Sequence, residues 1–546
     1  MAAMKTPSIA ALALVAMISA AFADEPMLTF TVSPRDTLIG LSADVFESPK
    51  AWREIAKLNK LRDPNRIVPG QVLQVPARLM RFRPVALRLV SANGEVRVGD
   101  SAAVAGSVLN EGQSLSTGVA GSAVVELADG TRMRLPPSSL AEVVASRNYG
   151  GRDAADASSS PSSAWFSGVL RLVRGSVEVF ATKVLRARPL EVTTPTAVVG
   201  VRGTHYRVNF DEAANGSTTT EVLDGKVRLD AASQPSGADV DTGFGAAIDA
   251  AATPKVAQLS AAPDLAAVPE LFDRPLIRFQ LPAEATSLRL QVAADEGFDQ
   301  IVSDQRVAVG HEIRIAGLDD ARWYLRARRL DTLGIEGFDA QRAFVLKARP
   351  EPPAGATPRA KAKQTIGVVE FSWAPNVEAK SVRLQVASDA TFANPLLDQA
   401  DITSNSLRHK IDEAGIYFWR MASMRGDTDA GPFGDPQSFE LRPLPEPPTG
   451  GVAPDGKSLV LRWGGRAEDR QQVELASDPQ FQNVVARDEL SAPEWAVPKP
   501  SRAGIYFFRY RSVEPDGFVS PYSQTLKIEV PRDWRWLLLL VPLLAL

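Results

Sequence analysis

A segment of about ninety residues occurs three times in the second half of the chain, and this repeat constrains the fold more than any other feature. Its clearest part, Arg289 to Phe298, recurs as Arg383 to Phe392 and, less closely, as Val473 to Phe481. Each copy lies between two aromatic strand patterns, and proline-rich joints follow the first two copies at 350–353 and 443–448. A period near ninety with about seven short strands indicates small β-sandwiches.

The three copies resemble fibronectin type III domains. The resemblance implies that the two aromatic strands of each copy form the core between two sheets. A large aromatic side chain buries about 150–250 Å², so one such cluster is enough to organise each sandwich. We therefore interpret these aromatics as core and assign the repeats to 269–349, 354–442 and 449–531.

Near the N-terminus, the stretch from Phe30 to Pro76 has the pattern strand, helix, helix, strand. Apolar residues alternate at its start, as in a short strand, and Asp36 is placed to cap a first helix. Ser48-Pro49 predicts the start of a second helix, because a cap residue precedes proline at the first helical position. Pro69-Gly70 predicts the turn into a closing strand.

This stretch resembles a LysM domain, a small module that binds N-acetylglucosamine polymers such as peptidoglycan. The matching residues are Val32, Asp36-Thr37-Leu38, Trp52, Ile55, Leu58-Asn59, Ile67, Pro69-Gly70-Gln71 and Leu73 to Pro76. Arg35 and Gly40-Leu41-Ser42 depart from the family pattern. We assign the module to 28–77.

The LysM resemblance implies a shallow glycan groove between the first loop and the loop before the last strand. Backbone amides and small polar groups there suit acetamido groups, and apolar floors suit sugar faces. The candidate glycan-binding residues are Asp36, Thr37, Leu38, Asn65, Ile67, Val68, Pro69 and Gly70. An alternative stays open, in which Leu38 and Ile67 only fill the core and Asp36 only caps a helix.

Between the module and the repeats, the run from Thr194 to Val208, with Thr218 to Val227, resembles FecR domains. The resemblance implies an all-β, solenoid-like or barrel-like stack of short hairpins over 85–230. We interpret Arg202-Gly203-Thr204 as architectural and His205 as a strand residue. The segment 231–268 is rich in Ala, Ser, Asp and Pro, and it is predicted to be a linker.

The two ends have apolar runs. Lys5, the run Ile9 to Ile18 and Ala21-Phe22-Ala23 are typical of a signal peptide over 1–23, which predicts export to a periplasm or cell surface. The tail Trp534–Leu546 is too short to cross a bilayer as one straight helix. Three interpretations stay open: weak membrane association, packing on a partner, or a reading frame that stops early.

The composition limits the kinds of metal site, catalytic site and partner that we expect for this chain. The chain has no cysteine, and its three histidines, His205, His311 and His409, are about a hundred residues apart. A thiolate or histidine metal site and a His-based catalytic triad are therefore not expected. The formal net charge of -3 gives no basic surplus for nucleic acid. We predict no cofactor and no catalytic residue.

The sequence thus predicts a multidomain, mainly β protein with a small α+β (βααβ) LysM module, an all-β FecR-like domain and three β-sandwich repeats. The leading hypothesis is a non-catalytic cell-envelope protein that binds peptidoglycan or a related polymer, with the other modules as spacers or as a surface for an envelope protein partner. Two alternatives are a FecR-type periplasmic sensor and a glycan hydrolase. The second stays open because acidic residues are plentiful enough to supply paired carboxylates.

Overall fold

The computed structural model describes residues 27–149, 166–183, 189–201, 203–213, 216–234, 236–249, 253–281, 286–426 and 428–532. The chain forms two compact units. The first contains Met1–Phe272 and Leu276–Leu346, and the second contains Asp273–Pro275 and Lys347–Leu546. The predicted signal peptide, the tail and Arg202 lie outside the described residues.

The LysM-like module has the predicted βααβ order. Its elements are β1 (Met27–Thr31), α1 (Leu38–Asp44), α2 (Trp52–Leu58) and β2 (Val72–Pro76), followed by a 3-10 helix at Ala77–Leu79. β1 and β2 pair antiparallel, with Met27 opposite Pro76 and Thr31 opposite Val72. The helices cover this ribbon, and Leu28, Leu38, Ile55 and Leu73 are buried between the two layers.

Both helix starts differ from the prediction. Thr37, rather than Asp36, caps α1, because its hydroxyl accepts a hydrogen bond from the Gly40 amide at 3.1 Å. α2 begins at Trp52 rather than at Ser48-Pro49. The Ser48 hydroxyl accepts from the Lys50 amide, and its carbonyl accepts from the Ala51 amide, so these residues form a turn before the helix.

The FecR-like domain is all-β, and its strands close on one another. They are β3 (Phe82–Pro84), β4 (Leu87–Asn93), β5 (Val96–Val98), β6 (Ser101–Ala102), β7 (Val108–Leu109), β8 (Ser114–Thr117), β9 (Ser122–Glu126), β10 (Arg132–Leu135), β11 (Leu140–Tyr149), β12 (Phe166–Phe180), β13 (Leu190–Thr193), β14 (Ala197–Val201), β15 (His205–Asp211), β16 (Ser217–Asp224), β17 (Lys226–Ala231), β18 (Gly237–Asp241), β19 (Phe244–Ile248) and β20 (Lys255–Gln258). Valine and leucine side chains from most of these strands share one buried core.

The segment 231–268 is not the unstructured linker that its composition predicts. β18 pairs with β17, β19 pairs with β16, and β20 pairs with β19, so the segment completes the FecR-like domain. Val240, Ala246 and Ile248 are buried there. Small residues form much of the buried face of this segment. Its sequence therefore has few of the large apolar side chains that usually indicate a buried strand.

The first repeat belongs to the first unit and has seven strands. They are β21 (Leu271–Phe272), β22 (Ile277–Phe279), β23 (Leu288–Ala293), β24 (Ile301–Val307), β25 (Ile313–Ile315), β26 (Ala321–Arg329) and β27 (Ala340–Leu346). One sheet has the order β21-β27-β26-β23-β24, and the other pairs β22 with β25. Buried residues from both sheets, including Phe279 and Leu325, confirm a sandwich. We call it the first sandwich.

The second unit contains the other two repeats. The second repeat has β28 (Gly355–Thr357), β29 (Ala362–Thr365), β30 (Gly367–Trp373), β31 (Ser381–Ala387), β32 (Leu397–Ile402), β33 (Ser406–Ile411), β34 (Gly415–Gly426), β35 (Asp429–Phe433) and β36 (Gln437–Arg442). The third has β37 (Thr449–Val452), β38 (Ser458–Arg462), β39 (Arg470–Ala476), β40 (Val484–Leu490), β41 (Glu494–Pro498), β42 (Gly504–Val513) and β43 (Leu526–Val530). Each repeat encloses its own aromatic core between two sheets.

The phenylalanine that marks each repeat has a defined structural role. Phe298, Phe392 and Phe481 all have positive φ, between 58° and 60°, and all are buried. An arginine from a neighbouring strand stacks over each ring, with its guanidinium carbon 4.4, 4.1 and 3.9 Å from the ring centroid. This cation–π contact explains why the motif recurs together with an arginine-bearing strand.

Candidate functional site

The structure brings the two predicted groove loops of the LysM-like module together. The Val32 amide donates to the Gln71 carbonyl at 2.9 Å, and the Gly70 amide donates to the Val32 carbonyl at 2.8 Å. These bonds extend the β1–β2 ladder beyond its last strand residue. The loop after β1 and the loop before β2 therefore lie side by side at one end of the module.

In the first loop, the three candidate residues have different environments. The Asp36 carboxylate accepts a hydrogen bond from the Ser33 amide at 2.7 Å. Thr37 is exposed, whereas Leu38 is only 1% exposed and packs in the core. Leu38 is therefore inaccessible to a glycan in this structure, as the alternative interpretation anticipated, while Thr37 stays on the surface.

In the second loop, Asn65, Val68, Pro69 and Gly70 are exposed, and Ile67 is half-buried against the core. The Gln71 side-chain oxygen accepts from the Val68 amide at 3.1 Å, which fixes the backbone of the turn. Gly70 has φ +84°, and a side chain there would find open space, so the position requires glycine for its backbone conformation.

Sequence reasoning missed one exposed apolar residue at this site. Ile39 is the second residue of α1, directly after Leu38, and is 56% exposed, and Val68 in the second loop is 60% exposed. The start of α1 and the second loop thus each expose one apolar side chain, which suits the apolar face of a sugar ring. The helical periodicity of the sequence could have revealed this exposure, because Ile39 falls outside the apolar stripe that Leu38 and Leu41 form on α1.

A second cluster of polar side chains lies inside the first unit, between the FecR-like domain and the first sandwich. We call it the ionic joint. Its members from the FecR-like domain are Arg134, Glu178, Arg207 and Glu221, and its members from the first sandwich are Arg289, Arg326, Arg328, Glu336 and Asp339. All except Asp339 are buried.

Glu178 is central to the ionic joint. Its carboxylate accepts hydrogen bonds from Arg134 at 2.8 Å and from Arg326 of the first sandwich at 3.4 Å, and it lies 3.0 Å from His205 Nε2. Burial alone would raise the pKa of Glu178. The surrounding Arg326, His205, Arg328 and Arg134 outweigh that effect and hold the pKa well below its ordinary value of 4.5.

The arginines of the first sandwich reach the FecR-like domain by several further bonds. Arg289 donates to the Ser176 hydroxyl at 2.9 Å and to the Asn209 side-chain oxygen at 3.0 Å, and it also pairs with Glu336. In the opposite direction, Arg207 donates to Asp339 at 2.9 Å. Because these carboxylates already bind arginine, the joint is organised to hold two domains together.

Glu221 differs from the other carboxylates of the ionic joint, because its nearest charged neighbours include another carboxylate. Its side chain accepts from the Thr219 hydroxyl at 2.8 Å, from Asn209 at 3.1 Å and from the Glu336 amide at 3.2 Å. Burial, and then the negative charge of Glu336, raise the pKa of Glu221 to about 7, although Arg207 partly opposes them.

Family comparisons agree with both assignments. A LysM domain model matches residues 30–76, and a FecR protein model matches residues 113–228. The chain contains a LysM domain followed by a FecR domain. LysM domains bind N-acetylglucosamine glycans, and both families are binding or regulatory families typical of the cell envelope.

Comparison with other proteins adds little beyond these two domains. No curated protein matched the sequence significantly. Among solved structures, the crystal structure of the chicken CNTN1 FN1–FN3 domains matches with 11% identity, over 47% of this chain and 99% of that chain, at a TM-score of 0.21. The sandwich assignment rests on the pairing of the strands into two sheets in each repeat.

Within the described residues, no group of three or more His, Cys, Asp or Glu side chains is placed to hold a metal ion. In the same part of the chain, no helix is both long and apolar enough to cross a membrane. His205, on β15 of the FecR domain, stacks on Phe180 with ring centroids 4.3 Å apart. It is a half-buried strand residue, as predicted.

The capping role of Thr37 in the LysM domain can be tested directly. Thr37→Ala should destabilise α1 by about 1 kcal/mol, because the Gly40 amide loses its acceptor. Hydrogen exchange of the amides at 40–44 in the full chain measures this loss as faster exchange. Asp36→Ala is the matched control and should leave those amides nearly unchanged. An equal effect of the two substitutions would contradict the assignment of Thr37 as the cap.

Proposed function

We propose that this chain is a non-catalytic, exported cell-envelope protein that binds peptidoglycan through its LysM domain. The observation that carries the proposal is the adjacency of the two groove loops, which the Val32–Gly70 and Val32–Gln71 bonds hold together. The start of α1 exposes Ile39, two residues after the exposed Thr37, and the second loop exposes Val68, three residues after the exposed Asn65. This combination suits an N-acetylated sugar polymer.

The remaining domains serve in this proposal as a spacer or as a surface for an envelope partner. The ionic joint attaches the first sandwich to the FecR domain, and the second unit adds two further sandwiches. The charged groups of the joint are paired with one another rather than open to a substrate. We therefore assign binding to the LysM domain and architecture to the joint.

The test is cosedimentation of the mature full-length chain with purified sacculi. The chain should cosediment without releasing soluble muropeptides, and deletion of Leu28 to Pro76 should abolish cosedimentation. Val68→Asp should weaken binding about tenfold, since a charge on an exposed groove residue opposes contact with a sugar face.

Val119→Asp is the matched control, because Val119 is 85% exposed in the FecR domain, outside the groove. It should bind as the wild-type chain does. Cosedimentation that survives the deletion would overturn the assignment of binding to the LysM domain. Release of soluble muropeptides would overturn the non-catalytic proposal and favour the hydrolase.

A further inference from the structure

The groove loops of the LysM domain, together with the end of α2 that leads into the second loop, carry an excess of exposed positive charge. Residues 57–66 contain Lys57, Lys60, Arg62 and Arg66 but only one acidic residue, Asp63. The first loop adds Arg35, next to Asp36. All five cations are exposed, whereas the whole chain has a formal net charge of -3. The local charge therefore has the opposite sign to that of the chain.

The two acidic residues of this set, Asp36 and Asp63, offset only part of the five positive charges. Asp36 accepts from the Ser33 amide, and Asp63 accepts from the Asn65 amide at 2.9 Å. Elsewhere in the module, Glu54 pairs with Arg78. Among the described residues, none of the five exposed cations forms an ion pair, so their charges face solvent.

The fold fixes where these cations lie relative to the groove. Arg35 follows Val32, whose backbone bonds to Gly70 and Gln71 join the two loops. Arg66 lies four residues before Gly70, in the second loop. The loop that leads from Lys57 towards Arg66 is tied to β2 by Asn59, which exchanges two hydrogen bonds with the backbone of Gln74, at 2.7 and 2.8 Å. Both walls of the groove thus carry at least one unpaired arginine.

We propose that this LysM domain recognises a glycan that bears fixed carboxylates, namely a wall polymer with free peptide-stem carboxyl groups, rather than a neutral N-acetylglucosamine chain. This inference rests on the proposed function and specifies its ligand. The sugar backbone lies between the loops, and the five cations meet the carboxylates that project from it. Opposite charges at an interface raise both the association rate and the selectivity.

The expected loss of affinity is small when one arginine is substituted and larger when two are substituted. One exposed ion pair changes an equilibrium by a factor of about 1.5 to 5, so Arg35→Gln combined with Arg66→Gln should weaken binding to intact sacculi by about 2- to 25-fold. Salt should have the same effect on the wild-type chain, because the screening length falls from about 10 Å at 0.1 M to about 3 Å at 1 M.

The test compares three ligands on the full-length chain: intact sacculi, sacculi whose free carboxyl groups have been converted to amides, and the neutral N-acetylglucosamine hexamer. The double variant should lose affinity for intact sacculi only, and its affinity for the other two should equal that of the wild-type chain. The matched control is Arg487→Gln with Arg502→Gln. It removes two exposed arginines of the third repeat that form no ion pair with any residue that the structure describes, and it should change nothing.

Each other outcome overturns the inference. An equal loss of affinity for the charged and the neutral ligands would mean that the arginines maintain the fold of the loops. An unchanged affinity for sacculi would mean that the charge of the two arginines does not contribute to binding. Loss of binding after removal of wall-attached phosphate polymers, with the stems intact, would assign the anion to phosphate. By contrast, a wild-type chain that binds none of the three ligands would refute the proposed function itself.

Discussion

Glu178→Gln should destabilise the first unit by about 3 kcal/mol and speed hydrogen exchange in both the FecR domain and the first sandwich. The substitution keeps the shape of the side chain and removes its charge, so no cavity contributes to the effect. Besides the new amide, Arg326 would keep only the neutral Gln291 within hydrogen-bond distance, at 2.7 Å, and its nearest remaining carboxylate would be that of Asp339, at 3.9 Å. A buried arginine without its carboxylate costs several kcal/mol, because its desolvation is no longer offset.

The estimate lies at the low end of the usual 3–5 kcal/mol because the other arginine keeps a partner. Arg134 also donates to Asp299 at 2.7 Å, across the same boundary between the domains. The first sandwich would therefore stay attached on that side while the contact at Arg326 weakens. Exchange should accelerate most along β12 and β26, which carry Glu178 and Arg326.

The matched control for this substitution is Glu126→Gln. Glu126 pairs with Arg132 at 3.0 Å, but the two side chains are 38% and 53% exposed. Water screens such a pair, so its loss should cost less than about 1 kcal/mol. Hydrogen exchange of the two variants, measured by mass spectrometry on the full chain, compares them. If they exchange alike, the ionic joint does not stabilise the unit.

The sequence could not predict the ionic joint, because burial there comes from a distant domain. Arg289 and Arg383 occupy the same position of the repeated motif, and both alternate with apolar residues as solvent-facing strand residues do. The Arg383 side chain is 41% exposed, whereas that of Arg289 is only 9% exposed. The difference arises because the FecR domain covers the sheet face of the first sandwich, with contacts to Arg289 from Asn209 and Ser176, which are 80 and 113 positions away in the sequence.

Local patterns, by contrast, were enough for the LysM domain and the sandwiches. The βααβ order depends on short-range periodicity and on turns such as Pro69-Gly70, and the repeats depend on aromatic strands that recur at a fixed spacing. The groove loops were also predictable, because each adjoins one of two paired strands. The side-chain environments within them were not, since only packing separates the buried Leu38 from the exposed Ile39.

The first unit should lose stability as the pH rises from about 4.5 to 7, by up to about 3 kcal/mol. Glu221 causes this dependence, since its pKa of about 7 in the folded protein exceeds the ordinary value of 4.5. Between these values the folded chain holds a proton that the unfolded chain releases, so stability falls with pH. Each pH unit changes the free energy of unfolding by about 1.4 kcal/mol, and above pH 7 the effect is complete.

At acid pH, the change of stability with pH has the opposite sign. Burial opposes ionisation of Glu178, Glu336 and Asp339, but the joint arginines outweigh it and lower the pKa of all three carboxyls. Their contribution to stability is present above the ordinary pKa values and is lost as the pH falls further. The first unit should therefore be most stable near pH 5, between the two effects.

Glu221→Gln separates these effects, because the amide is neutral at every pH and keeps the length of the side chain. The fall in stability between pH 5 and 7 should disappear in this variant, while the acid side stays. Thermal unfolding of the full chain, followed across pH 4 to 8 by calorimetry, measures both slopes. Asp224→Asn, at the exposed end of β16 where Asp224 pairs with Lys183 at 2.9 Å, is the matched control and should keep the fall.

A slope that persists in Glu221→Gln would place the titrating group elsewhere and remove the physical basis of this prediction. The geometry argues for Glu221, because two buried carboxyls meet across the boundary between the FecR domain and the first sandwich. The Glu336 amide donates to Glu221, while the Glu336 carboxylate is paired with Arg289 and Arg328. Of the two acids, Glu336 therefore keeps its charge, and Glu221 holds the proton that ties the stability of the joint to pH.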